Sequence, residues 1–262
     1  MRAILHILTG AALAIAAASA VAAPTPAERA ELDSLFVGAR EAYDAGRLDD
    51  AVARYEEILR RGYRLPEVDY NLANALFRRG DVGRAALHYR RAQYAAPRDP
   101  DIRGNLEFAW RTAGAPAPQR PLWMRPFARM RRSECAALAV GGYWTAAVLL
   151  GALMAARRGR PALQRAAVAA LAAMAFGLGG LAAWSSLERR PELVVLRPGV
   201  VARFAPLDDA TPHFEAPPGT VVRLEASEGG WARVSLGRQS GWIPASAAGR
   251  VGPNPGLVKD AR

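Results

Sequence analysis

Two stretches decide the fold: Ala39–Tyr55, AREAYDAGRLDDAVARY, and Ala73–Tyr89, ANALFRRGDVGRAALHY. They align at a spacing of 34 residues, which sets Ala39 over Ala73, Gly46 over Gly80, Ala51 over Ala85 and Tyr55 over Tyr89. The step carries once more, from Gly80 to Gly114. Asp69, Leu72, Ala73 and Leu76 recur at helical intervals and mark one stripe. Gly80 ends that helix, because glycine enters positive φ without Cβ strain, and Asp81 is placed to cap the next one. The small residues Ala73 and Ala85 let the two helices approach, Tyr89 and Ala92 face the core, and Pro97 stops the second helix.

A helix–turn–helix unit of this period resembles the tetratricopeptide (TPR) repeat. The array is expected over residues 32–113: one unit from about Leu32 to Leu65, a second from Pro66 to Asp99, and a capping helix from Pro100 that carries Leu106 and Trp110. A lone last helix reads as a solvating cap. The resemblance implies a concave face lined by the inner helices, here Arg40, Tyr43, Tyr70, Asn71, Asn74, Phe77, Arg78, Asn105 and Phe108. An asparagine amide can pair with both groups of a bound backbone; a solvated helix polar is the alternative. The lysines of a carboxylate clamp are absent from these positions.

Residues 1–22 read as a signal peptide, with Arg2 before an apolar run and small residues; an uncleaved anchor is the rival. Two further apolar stretches, 134–156 and 166–187, are each long enough to cross a bilayer. A loop at 157–165 with four arginines joins them into a hairpin. Ala147, Gly151 and Ala155, with Ala169, Ala173 and Gly177, are small residues at fourfold spacing and candidates for close helix contact near that loop. Residues 114–133 form a basic linker in which Trp123, Arg125, Phe127, Arg129, Arg131 and Arg132 suit a segment lying on a membrane surface. The net charge of +11 gathers around these stretches, since residues 23–113 balance 15 arginines with 15 acidic groups. That location points to anionic lipid rather than nucleic acid. Arginine counting favours a cytoplasmic place for these flanks, whereas the signal peptide puts both soluble modules on the periplasmic side of a bacterial inner membrane. The signal acts first on the emerging chain, so the periplasmic placement is the expectation.

From Glu192 the pattern turns to period two, with strands at 193–196, 200–204, 220–224 and 231–236. Five or so strands are expected, with an irregular loop from Pro206 to Pro218. The run Glu-Gly-Gly-Trp-Ala-Arg-Val, followed by Gly-Trp-Ile-Pro ending at Pro244, resembles a bacterial SH3-like domain over 191–251, with a disordered tail at 252–262. Phe204, Trp231 and Trp242 either line a groove for peptide or peptidoglycan or pack the barrel core.

No catalytic constellation emerges: His6, His88 and His213 are scattered, His88 reads as a helix-surface residue, and Cys135 stands alone. Neither an enzyme nor a cofactor or metal is expected. The fold class is therefore multi-domain: an all-α TPR array, a two-helix transmembrane hairpin and a small all-β SH3-like barrel. This order of parts resembles the BatE proteins of bacterial aerotolerance operons. The resemblance implies protein partners of the envelope, namely von Willebrand A-domain membrane proteins and, indirectly, a MoxR-type ATPase. Peptidoglycan binding through the SH3-like part is the alternative.

Overall fold

The computed structural model describes residues 25–118, 121–155 and 160–252. The predicted signal peptide, Arg120, part of the predicted hairpin loop and the tail from 253 lie outside the described residues.

Five helices form the array: α1 (Pro26–Asp44), α2 (Leu48–Arg60), α3 (Pro66–Arg78), α4 (Val82–Ala95) and α5 (Pro100–Ala113). α1 begins earlier than the repeat period implies, because Thr25 and Glu28 close a capping box. Asp81 caps α4 by accepting from the Arg84 amide at 3.2 Å. Gly46, Gly80 and Gly114 sit at φ of 75°, 92° and 67°, where the repeat demands them. Between the helices, Tyr55, Leu72, Leu76 and Leu106 are fully buried.

His88 departs from its expected place on the surface. It is buried against Asp69, with Nδ1 2.7 Å from Oδ1. A carboxylate only accepts, so Nδ1 carries the hydrogen. Asp69 thus belongs to the buried stripe as the partner of His88, four residues before the apolar Ala73.

The C-terminal part holds seven antiparallel strands: β1 (Glu192–Val195), β2 (Val200–Arg203), β3 (Pro212–Ala216), β4 (Val221–Glu228), β5 (Trp231–Leu236), β6 (Gln239–Pro244) and β7 (Ala248–Arg250). Their order is β3-β2-β6-β5-β4-β1-β7. All seven contribute to one core, from Leu193 and Val195 through Val222, Val234 and Ile243 to Ala216 and Ala248, so the sheet curls on itself. The stretch expected to be an irregular loop contains β3, which pairs with β2; Pro212 and a register shift at Ala202/Arg203 hid its alternation.

The helical and β parts are one packed body. β1 is buried along its whole length. Leu193 and Val195 point into the barrel, while Val194 joins Val221 and Val251 in the core of the array. Arg90 on α4 donates from Nε and Nη2 to Oε2 of Glu192 at 2.9 and 2.6 Å, and both side chains are buried. Arg91 donates twice to the Arg250 carbonyl, and the Trp110 indole donates to the Gly219 carbonyl at 3.1 Å. Gly83 is needed at this seam because a Cβ there would collide with the Leu196 carbonyl. The expected solvating cap is thus corrected: α5 turns Trp110 to the barrel, and one of its faces is covered.

Helices α6 (Arg132–Ala155) and α7 (Arg160–Arg189) form the hairpin, each long and apolar enough to cross a membrane. The expected ridges are corrected as well, since Ala147, Gly151, Ala155 and Ala169 are exposed. Of the expected positions Gly177 is in the contact, which otherwise runs through Cys135, Ala139, Gly142 and Ala146 against Ala167, Ala170 and Gly180. A Cβ on Gly142 would lie 2.6 Å from the Met174 amide nitrogen, so backbones touch there. The array rests on the open end of this hairpin. Arg98 makes two 2.8 Å bonds to Glu134, and Tyr94 meets Trp184 edge-on at 4.8 Å.

Two outcomes follow from these buried groups. Glu192→Ala strands a buried guanidinium and is expected to lower stability by about 3–5 kcal/mol, whereas Arg90→Met/Glu192→Leu recovers most of that loss; denaturant melts of the full chain in detergent measure both. Burial pulls the His88 imidazole below its ordinary value of 6.5, against the opposing pull of Asp69. Above that value His88 is neutral folded and unfolded alike. Below it the unfolded chain takes up a proton that the folded chain refuses. Melting temperature should therefore fall as pH drops from 6.5 toward the lowered native value, and His88→Gln should flatten that limb.

Candidate functional site

The concave face is built by α1, α3 and α5, whose inward stripes bury Ala39, Ala73 and Leu106 and leave the next positions outward. Near the N-terminal ends of α3 and α5 the helices part around a cavity of about 330 Å³. Arg40, Tyr70 and Asn71 line it together with Phe36, Glu67 and Asp101. Beside it, the Asn105 amide donates to the Tyr70 hydroxyl at 3.0 Å and to Asn74 Oδ1 at 3.3 Å. Tyr89, from the second helix of the unit, donates to the same Asn74 oxygen at 2.5 Å. Burial holds the Tyr89 phenol well above its ordinary range, so it stays a neutral donor.

At the C-terminal ends of the same helices, Arg78 lies 5.1 Å from the Tyr43 ring centre and donates to the Tyr43 carbonyl. Phe77 and Phe108 pack at 5.4 Å, with Arg111 over Phe108. The nine expected residues therefore gather on one face, in two groups. Asn74 and Asn105 are joined in an internal network, which reduces what they can offer a ligand. Asn71, Arg40 and the half-exposed Phe108 remain turned outward. Phe36 and Arg111 belong to this face and were missed, while Tyr89 lies in the core beneath it as expected; Arg111 was legible, being 34 residues after Phe77. The groove is polarised, with Glu67 and Asp101 at one end and Arg78 and Arg111 at the other.

A second surface lies on the outer side of the barrel. Trp242 pairs in register with Arg233 on β5 and Arg203 on β2. It is half-buried, and the core positions beside it are Ala232, Val234 and Ile243. Phe204 is 61% exposed and stacks on His213 at 4.3 Å. Phe204, His213, Trp242, Arg233 and Arg238 enclose a cavity of about 420 Å³. Trp231 is also on the outer face, but opposite Pro244 at the other end of β5, away from this cavity. Neither tryptophan fills the barrel core.

The basic linker contains a 3-10 helix, Leu122–Phe127. Met124 is buried, and Phe127 packs on Phe176 at 4.8 Å and against Gly179 and Gly180 of α7. Trp123 points away and is 52% exposed, and Arg125, Arg129, Arg131 and Arg132 are exposed. Arg132 pairs with Glu188 at 2.7 Å, tying the two hairpin helices together.

Residues 36–100 match the family model of the tetratricopeptide repeat, and residues 197–247 match that of the bacterial SH3 domain. No curated protein matches the chain. Both parts are interaction modules of a kind that binds proteins or peptidoglycan, and neither is typically catalytic. Among the described residues no cluster of three or more histidines, cysteines or acids is placed to hold a metal ion.

The internal network separates structural from ligand-facing asparagines. Asn74→Ala should leave the Tyr89 hydroxyl without its acceptor and lower stability by about 1–3 kcal/mol. Asn71→Ala, at the cavity edge, should change stability by less than about 0.5 kcal/mol. Thermal melts of the two variants side by side check this.

Proposed function

We propose that the chain is a membrane-anchored envelope scaffold that holds protein partners on its concave TPR face. The observation that carries this reading is the rigid seating of the array: β1 and α4 lock it to the barrel, and Arg98–Glu134 with Tyr94–Trp184 seats it on the hairpin. The outer side of α4 is occupied by the chain itself, and the concave side is turned to partners. The polarised groove fits an extended segment with a cationic residue near Glu67 and Asp101 and an acidic one near Arg78 and Arg111. Tight docking also requires both modules to lie on one side of the membrane, which a two-helix hairpin provides. The N-terminal signal-like segment supports the periplasmic side of an inner membrane. The order of parts, similar to BatE proteins, supports von Willebrand A-domain membrane proteins as the partners, with a MoxR-type ATPase reached through them.

A second reading rests on the cavity of the barrel. Phe204, Trp242 and the guanidiniums of Arg233 and Arg238 offer stacking surface and positive charge in one place. Peptidoglycan stem peptides carry carboxylates and fit such a groove.

One experiment separates the two. Asn71→Ala/Phe108→Ala should lose protein partners captured from solubilised membranes while still sedimenting with purified sacculi as the parent chain does. Phe204→Ala/Trp242→Ala should do the reverse if the barrel grips the wall. Unchanged capture by the first variant removes the groove reading, and absence of sedimentation by the parent chain removes the second.

A further inference from the structure

The hairpin, the linker and the array enclose a third cavity, of about 420 Å³. Its walls are Tyr94 and Trp110 from the array, Met124 and Phe127 from the linker, and Trp184 and Leu187 from the last turns of α7. Arg103 and Arg129 stand at its edge with Glu107. We propose that this cavity binds one anionic phospholipid, its phosphate between Arg103 and Arg129 and an acyl chain along Trp184 and Leu187. The proposal rests on the membrane reading of the hairpin.

Three observations favour a lipid. First, the cavity lies where α7 leaves its apolar stretch, at the depth where tryptophan meets headgroups, and Phe127 of its wall packs on the part-exposed Phe176 of the hairpin. Second, the charge is one-sided. Arg103 and Arg129 have no carboxylate within ion-pair reach among the described residues, and Arg125 and Arg131 of the same linker are exposed as well. Glu107 is the one carboxylate in the lining. Arg90, which also borders the cavity, is already held by Glu192. Third, the lining has the two halves a phospholipid needs, with apolar Met124, Phe127, Trp184 and Leu187 on one side and the guanidiniums of Arg103 and Arg129 at the edge. A basic pocket beside transmembrane helices is a recognised form of anionic headgroup site.

Delipidated full-length protein in detergent, exposed to phosphatidylglycerol, phosphatidylcholine or glycerol 3-phosphate and read by native mass spectrometry, tests this. One phosphatidylglycerol per chain should be retained, and Arg103→Gln/Arg129→Gln should reduce that retention about tenfold or more. Both arginines are exposed, so the variant should melt as the parent does. Equal retention of phosphatidylcholine, or unchanged retention by the variant, overturns the site. Glycerol 3-phosphate binding as well as the lipid would assign the pocket to a soluble phosphate and overturn it too. Alkaline extraction of membranes distinguishes the two levels. A chain that stays in the membrane but retains no lipid sinks the pocket alone, and a chain released by alkali sinks the membrane reading with it.

Discussion

The contact between β1 and α4 constrains everything else in this protein. A strand in a small barrel normally shows one face to the core and one to water, and β1 shows neither face to water. Its inward residues complete the barrel, and its outward residues complete the array. Hydrophobic burial supplies the attraction across this seam, since Val194, Val221 and Val251 leave water only by meeting the array. The Arg90–Glu192 pair supplies register more than strength. Two charges removed from water regain little net energy, but any rotation of the barrel that separates them breaks a buried ion pair.

That constraint assigns the remaining surfaces. With the outer side of α4 and part of α5 covered, the concave groove and the outer sheet around Trp242 stay open, as does the outer side of α2. Their relative positions are fixed, so occupants of the two would be held in a set geometry. The seat on the hairpin joins the same body to the two apolar helices. Edge-on packing of Tyr94 on Trp184 and the two hydrogen bonds from Arg98 to Glu134 join the array to the hairpin.

The array was the most legible part, because each glycine and alanine of the period answers a steric demand visible in one repeat and checked in the next. The nine groove positions came with it, since helical spacing fixes which residues share a face. The seam was less legible, although its trace is present. Leu193-Val194-Val195-Leu196 is a continuous apolar run with no polar alternation, the mark of a strand covered on both sides, and Gly83 in the first turn of α4 serves no purpose within the helix. His88 misled because a polar residue at a helix position reads as solvated until its partner is known. Asp69, 19 residues away on the facing helix, is that partner. The hairpin contact was misplaced for a different reason. In alanine-rich helices almost every ridge is small, so spacing alone does not choose among them, and the choice falls to where glycine lets the backbones touch.

The arginine distribution takes on a different meaning in this setting. Counted as bare charges, the arginines before and after the hairpin argue for a cytoplasmic place. Several of them have local work. Arg132 neutralises Glu188 across the hairpin, Arg98 neutralises Glu134, and Arg129 borders the cavity beside Trp184. The positive-inside bias acts on charge in short loops during insertion. It is strongest for the turn between α6 and α7, where four arginines fall in nine residues with no acid. These four weigh toward the topology proposed above, in which both soluble modules lie on the opposite side, and Arg132, held by Glu188, weighs less against it.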